Sequence, residues 1–138
     1  QAQADVRSGR ILEMLRFLKE ACGYDFLSDL CGVDYLRFDD RPERFGVVYN
    51  LYAMGERRRL IVRAYAGGDP PEIDSATPLW PGADWLEREV WDLYGVRFRG
   101  HPDLKRLLCP EEFTHHPLRK DYPLEGLGER RNFRKVER

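Results

Sequence analysis

The stretch Arg44-Phe45-Gly46-Val47-Val48-Tyr49-Asn50-Leu51-Tyr52-Ala53 decides the fold. Phe45, Val47, Tyr49 and Leu51 alternate with Gly46, Val48, Asn50 and Tyr52, the two-residue period of a strand with one face better buried than the other. Met54-Gly55-Glu56-Arg57 supplies a turn, and Arg58 to Ala66 returns as a second strand, so the unit is a hairpin. Polar Arg37 to Glu43, with Pro42, reads as the loop that feeds it. Asp25 to Leu36 is rich in apolar residues but broken by Ser28, Asp29 and Asp34, and reads as a third strand.

Two helices flank these strands. Between Val6 and Cys22, the residues Ile11, Met14, Leu15, Leu18 and Cys22 fall on one helical face with Glu13, Arg16 and Glu20 opposite, and Gly23 is a natural stop. Thr77-Pro78 has the chemistry of a helix start, which Pro81-Gly82 interrupts. A helix then runs from Ala83 to Tyr94, closed by Gly95. Its inward stripe is Ala83, Leu86, Val90, Leu93 and Tyr94. Arg88 and Asp92 project outward, and Trp85 lies almost opposite the stripe. From Val96 on, Pro102, Pro110, Pro117 and Pro123 recur too often for a long helix or a central strand. The expected fold is α+β and two-layered: a small, mixed but mostly antiparallel sheet with two helices on one face, over residues 1–95, followed by an extended C-terminal docking arm over 96–138.

A chain of 138 residues supports one domain with a modest core. The formal net charge of -1 gives no global electrostatic case for nucleic acid or an anionic membrane. No apolar run approaches the roughly 20 residues of a membrane-spanning helix. The cysteines, Cys22, Cys31 and Cys109, are few and odd in number, which fits a reducing compartment. The chain opens on Gln1, as a processed or trimmed terminus would, and shows no secretory signal.

Chemistry is sparse. His101, His115 and His116 lie near Cys109, but no metal template has that spacing, and histidine before proline more simply marks a shaped turn. Three cysteines fall short of the four ligands of an iron-sulfur cluster. No phosphate loop or activated nucleophile is visible. Glu87 projects close to the apolar stripe. Either it pairs with an arginine such as Arg63, Arg106 or Arg119, or it sits at the stripe's edge and reaches water.

Two long motifs carry a resemblance. Glu87-Arg88-Glu89-Val90-Trp91-Asp92-Leu93-Tyr94-Gly95, continuing through His101-Pro102 to Arg106-Leu107, resembles the signature of the 30 kDa subunit family of respiratory complex I. His116-Pro117-Leu118-Arg119-Lys120-Asp121-Tyr122-Pro123 is similar to that family's second hallmark. Trp80 to Leu86 and Arg41 to Phe45 fit as well, so the likeness runs from about Gly23 to Leu124. The resemblance implies a core subunit of the peripheral arm of proton-translocating NADH:quinone oxidoreductase, inactive alone. That subunit has no catalytic, cofactor or metal residues of its own. It would dock the large quinone-site subunit and its neighbours on the cytoplasmic side of the bacterial inner membrane, while NADH, FMN, iron-sulfur clusters and quinone belong to the complex. The residues it assigns to family signature and docking are Glu87, Arg88, Glu89, Asp92, Gly95, His101, Pro102, Arg106, His116, Pro117, Arg119, Lys120, Asp121 and Tyr122. Family members carry a further helix and strand before the first helix, so an outer strand of the sheet is expected to be missing here. The competing readings are the equivalent subunit of a membrane-bound hydrogenase, a free-standing enzyme around Glu87, His101 and His116, and a nucleic-acid-binding module using the basic arm. Acidic residues in the arm and the absence of an aromatic platform speak against the last.

Overall fold

A computed structural model describes residues 2–129; the last nine positions of the expected arm, 130–138, lie outside it. In chain order the elements are β1 (Ala2–Val6), a short 3-10 turn (Ser8–Arg10), α1 (Ile11–Glu20), β2 (Phe26–Asp34), β3 (Phe45–Ala53), β4 (Arg58–Ala66), β5 (Glu72–Asp74), α2 (Ala83–Tyr94) and β6 (Arg97–Arg99). The main sheet has the order β1-β4-β3-β2. The alternation of β3 is the alternation of its burial: Phe45, Val47, Tyr49, Leu51 and Ala53 are all buried. Their partners on β4 are Ala66, Ala64, Val62, Leu60 and Arg58, and the register with β2 sets Leu30, Gly32 and Asp34 opposite Tyr49, Val47 and Phe45. One face of the sheet therefore carries the core, which Ile11, Leu15 and Leu18 of α1 and Val90 of α2 join. The fold is α+β, with both helices on that face.

The outer strand expected to be absent is present. Ala2–Val6 pairs in parallel with Leu60–Ala64. Val6, expected to open a helix, closes this strand instead, and α1 begins only at Ile11. A five-residue segment rich in Ala, Gln and Asp has little strand preference of its own, and the free backbone edge of β4 decides its conformation. On α1, Met14 is not inward as its spacing implies but 37% exposed, at the rim of the buried stripe.

Thr77-Pro78 does not start a helix. The amides of Leu79 and Trp80 both return to the Ala76 carbonyl at 3.0 Å, which makes a turn. The Thr77 hydroxyl is bonded to the Ser75 hydroxyl at 2.7 Å. Strands β5 and β6 form a separate two-stranded parallel sheet that buries Ile73 and Phe98. Each has three residues, too few to show a period in sequence. Helix α2 crosses β2 at Gly32, where a Cβ would lie 2.6 Å from a Tyr94 ring carbon and 2.9 Å from a Val90 methyl. Only glycine permits that approach. Among the described residues no helix is long and apolar enough to cross a membrane.

Candidate functional site

Helix α2 is covered on more sides than one stripe can explain. Val90 and Tyr94 face β2, Glu87 faces the turn after β5, and Arg88 and Asp92 face the returning segment 100–129, called the strap below. A helical wheel turns Arg88 and Asp92 to solvent, yet they are 8% and 0% exposed. The helical geometry is as the wheel has it; the strap lies over that side of the helix, and the wheel does not contain it.

Asp92 organises the strap. Its Oδ1 accepts from Arg106 Nη1 at 2.6 Å. Its Oδ2 accepts three consecutive backbone amides, Leu107 at 3.0 Å, Leu108 at 2.7 Å and Cys109 at 2.8 Å. Burial pushes this carboxyl up, but the amides of Cys109 and Leu108, the Arg106 guanidinium and the Leu107 amide outweigh it, so the group is held below the usual carboxylate range. Arg88 adds bonds from Nε to the Lys105 carbonyl and from Nη2 to the Arg106 carbonyl, both 3.2 Å, while its guanidinium lies 4.8 Å over the exposed Trp85 ring.

The strap also caps α2. The last four carbonyls of a helix have no partner within it. Here the Trp91 carbonyl accepts from the Gly95 amide at 2.8 Å and the Leu93 carbonyl from the Leu118 amide at 3.0 Å. The Asp92 carbonyl receives His116 Nδ1 at 2.9 Å, and the Tyr94 carbonyl receives Arg119 Nε at 2.7 Å. Because Nδ1 faces a carbonyl, it carries the ring proton. Two arginines, Arg106 and Arg119, stand at the negative end of the helix dipole. Gly95, at φ 77°, leaves no room for a side chain: a Cβ would come within 2.4 Å of Arg119 and 2.6 Å of His116. His116 is pushed below its ordinary value, chiefly by burial.

A second buried carboxylate holds the far end. Asp34, at the end of β2, accepts Arg44 Nε at 3.0 Å and Nη2 at 2.9 Å, the Leu36 amide at 2.9 Å and the Lys120 amide at 2.8 Å. Arg44 also grips Asp121 with two bonds, at 2.9 and 2.7 Å. Burial opposes ionisation of Asp34, yet Arg44 and the amides hold its carboxyl low. Sequence reasoning misses the roles of Asp34 and Arg44. The signal available was an acidic residue at the end of one strand and a basic residue just before the next.

Glu87 is fully buried, and its partners are not arginines. Its carboxylate accepts from the Ser75 hydroxyl at 2.7 Å and the Ala76 amide at 2.6 Å. The expected cations are engaged elsewhere: Arg63 with Gln3 and Asp5, Arg106 with Asp92, Arg119 with the helix end. Burial pushes Glu87 from 4.5 to about 7, with Ser75 and Ala76 pulling down and Asp84 pushing up. The remaining signature residues are spread out. Glu89, Pro102 and Lys120 are exposed and Pro117 is half-buried. His101 lies 3.1 Å from the Asp84 carbonyl through Nε2, and its Nδ1 accepts the Asp103 amide. Tyr122 packs in a ring cluster with Phe113 and His115 and donates to Glu129 at 3.1 Å. Glu87, His101 and His116 thus hold separate places around α2, each bonded to backbone or to Ser75. The three cysteines are free, and among the described residues no three His, Cys, Asp or Glu side chains converge on a metal position; the donor set does not fit an iron-sulfur cluster.

A two-layer α+β domain whose second helix is capped by its own C-terminal segment defines the class. Residues 4–127 match the family described as respiratory-chain NADH dehydrogenase, 30 Kd subunit, and the chain belongs to that family. It is 49% identical over 125 residues to an NADH-quinone oxidoreductase subunit of Rhizobium etli, covering 89% of this chain and 65% of that one. It is 47% identical over 125 residues to NADH-quinone oxidoreductase subunit 5 of Thermus thermophilus, covering 83% and 60%. The chain thus spans under two thirds of the length of these relatives. A solved structure described as a trypsin-resistant fragment (1-134) of Nqo5 matches with a TM-score of 0.67 and 43% identity, over 72% of this chain and 80% of that one. A chain of an archaeal membrane-bound sulfane sulfur reductase matches with a TM-score of 0.78 over 100% of this chain and 84% of its own, at 22% identity, and so shares the fold.

Proposed function

We propose that this chain is a non-catalytic docking subunit of the peripheral arm of a proton-translocating NADH:quinone oxidoreductase. The complex passes electrons from NADH through FMN and iron-sulfur clusters to quinone, and this subunit holds none of those groups. Its place is on the cytoplasmic side of the inner membrane, attached through its neighbours, foremost the large quinone-site subunit. The observation that carries this reading is the build of the strap: backbone amides and basic side chains bond inward to Asp92, Asp34 and the end of α2, while some of its leucines are turned outward. Leu108 is 62% exposed, Leu118 47% and Leu124 101%. Exposed apolar residues on a positioned segment are what a protein interface uses. On this reading the chain divides into the domain of residues 1–95 and the docking segment of 96–138, whose first residues stay with the domain through Val96, Phe98 and the pairing of β6 with β5. The buried signature residues Arg88, Asp92 and Gly95 shape that segment, while Glu87 holds the turn after β5. Glu89, Lys120 and Asp121 have the exposure to meet a partner, Asp121 while gripped by Arg44.

Affinity purification of the tagged chain from native membranes tests the assignment. Flavin- and iron-sulfur-bearing subunits should accompany it, and the chain alone should not oxidise NADH. Recovery of a lone chain that turns over a substrate would overturn the reading.

A further inference from the structure

The strap is attached to the domain differently from any strand. Among the described residues, a single backbone-to-backbone bond joins residues 100–129 to α2, from the Leu118 amide to the Leu93 carbonyl. Apart from a local turn bond from the His101 amide to the Phe98 carbonyl, the attachments run through side chains, chiefly Asp92 to the amides of 107–109 and Asp34 to the Lys120 amide. Of the strap's apolar side chains among the described residues, Phe113 is buried and Leu104 packs, partly buried, against the core. A segment that buries so little apolar surface gains little hydrophobic stabilisation, and local opening is easiest in such segments.

We propose that residues 100–129 close on α2 and open from it in two parts, with Asp92 as the latch of the first, while the α+β domain stays folded. The two ends are held unequally. Asp92 directs all its carboxylate bonds, one arginine and three amides, to the strap. Asp34 directs most of its bonds to its own neighbourhood, Leu36 and Arg44, and one to the strap at Lys120. Between the two holds lies Pro110 to Thr114, where the Phe113 amide bonds locally, to the Pro110 carbonyl. Loss of the Asp92 charge leaves three amides and a guanidinium with one neutral carbonyl oxygen where two charged oxygens stood, and that half of the strap lets go. Nothing in the β3 ladder depends on those bonds. The docking reading supplies a use for closure, since it fixes Leu108 and Leu118 in place before a partner arrives; the opening itself does not rest on that reading.

Hydrogen exchange on the isolated full chain, with increasing low concentrations of denaturant, tests this. The amides of Leu107, Leu108 and Cys109 should be protected, yet exchange through an opening with a much weaker denaturant dependence than Val47, Tyr49 and Leu51. Asp92→Asn keeps the volume and removes the charge. It should speed exchange at 107–109 by about tenfold or more and leave the β3 amides unchanged. Asp34→Asn should speed the Lys120 amide and spare 107–109. The proposal is overturned if the strap amides are unprotected in the parent chain, or share the denaturant slope of β3, or ignore Asp92→Asn. Should Asp92→Asn not fold, Arg106→Gln removes the cation of the same latch. Collapse of both variants would make the latch part of the domain and equally defeat the proposal. A failed co-purification would remove the docking reading and leave this result standing.

Discussion

The hairpin β3–β4 and the strap solve the same problem by opposite means. Each must satisfy its backbone groups and find a fixed place. The hairpin does so with a nine-residue ladder and a continuous row of buried side chains. The strap, broken by prolines, has no ladder, and single side chains from the domain act as acceptors and donors for it. The lesson is that a segment can take one shape without a core, provided a few buried charges are fully bonded. Such order is local. It hangs on two carboxylates and a glycine, whereas the hairpin's order is shared among many residues.

The largest effect is expected in the hairpin. Tyr49 has no exposed surface at the centre of β3, and Tyr49→Ala should cost about 3–5 kcal/mol of global stability in urea unfolding. A loss under about 1 kcal/mol would show that the sheet is not where the stability resides. Gly95→Ala comes next. It forces a side chain into a left-handed conformation and against Arg119 and His116, and should cost about 1–3 kcal/mol. Its mark is where the damage falls: the Leu118 amide should lose hydrogen-exchange protection before Tyr49 does, and the reverse order would contradict the division between the regions.

The last effect is one of pH, and the two regions should respond with opposite sign. Glu87 in the domain is raised from 4.5 to about 7, so the folded state holds a proton that the unfolded state has lost. Stability from this group should fall as pH rises from about 4.5 to 7 and then level off, and Glu87→Gln should flatten that slope. Asp92 and Asp34 are lowered in the folded state. Their contribution is present above the ordinary aspartate range and should be lost as pH falls through it, loosening the strap first. Melting curves from about pH 4 to 8 for the parent and Glu87→Gln check the first part. Parallel curves would mean that Glu87 is not the titrating group. Exchange at 107–109 below about pH 4 checks the second.

The same contrast governs what could be read from sequence. The hairpin was legible because burial follows the two-residue period along one contiguous stretch, and α2 because its apolar stripe and Gly95 stand together. The family was legible because Glu87 to Leu107 and His116 to Pro123 are long and ordered. Strand β1 was not, since its conformation comes from the edge of β4 rather than from Ala2–Val6 itself. Nor was the closure of the strap. Its contacts join Asp34 to Lys120 and Asp92 to Cys109, pairs with no periodic mark. The burial of Arg88 and Asp92, and the hydroxyl and amide partners of Glu87, are consequences of tertiary placement that periodicity along a helix cannot report.

The parallel pairing of β1 with β4 bears on the order of assembly. The hairpin joins neighbours through a short turn, so its loop closes at little entropic cost, and it can form early. Strand β1 must wait until the chain from Ala2 to Leu60 has closed, with α1, β2 and β3 in between. It therefore adds late, to a template already made, and substitutions in β1 are expected to act mainly on the unfolding rate while those in the hairpin slow folding.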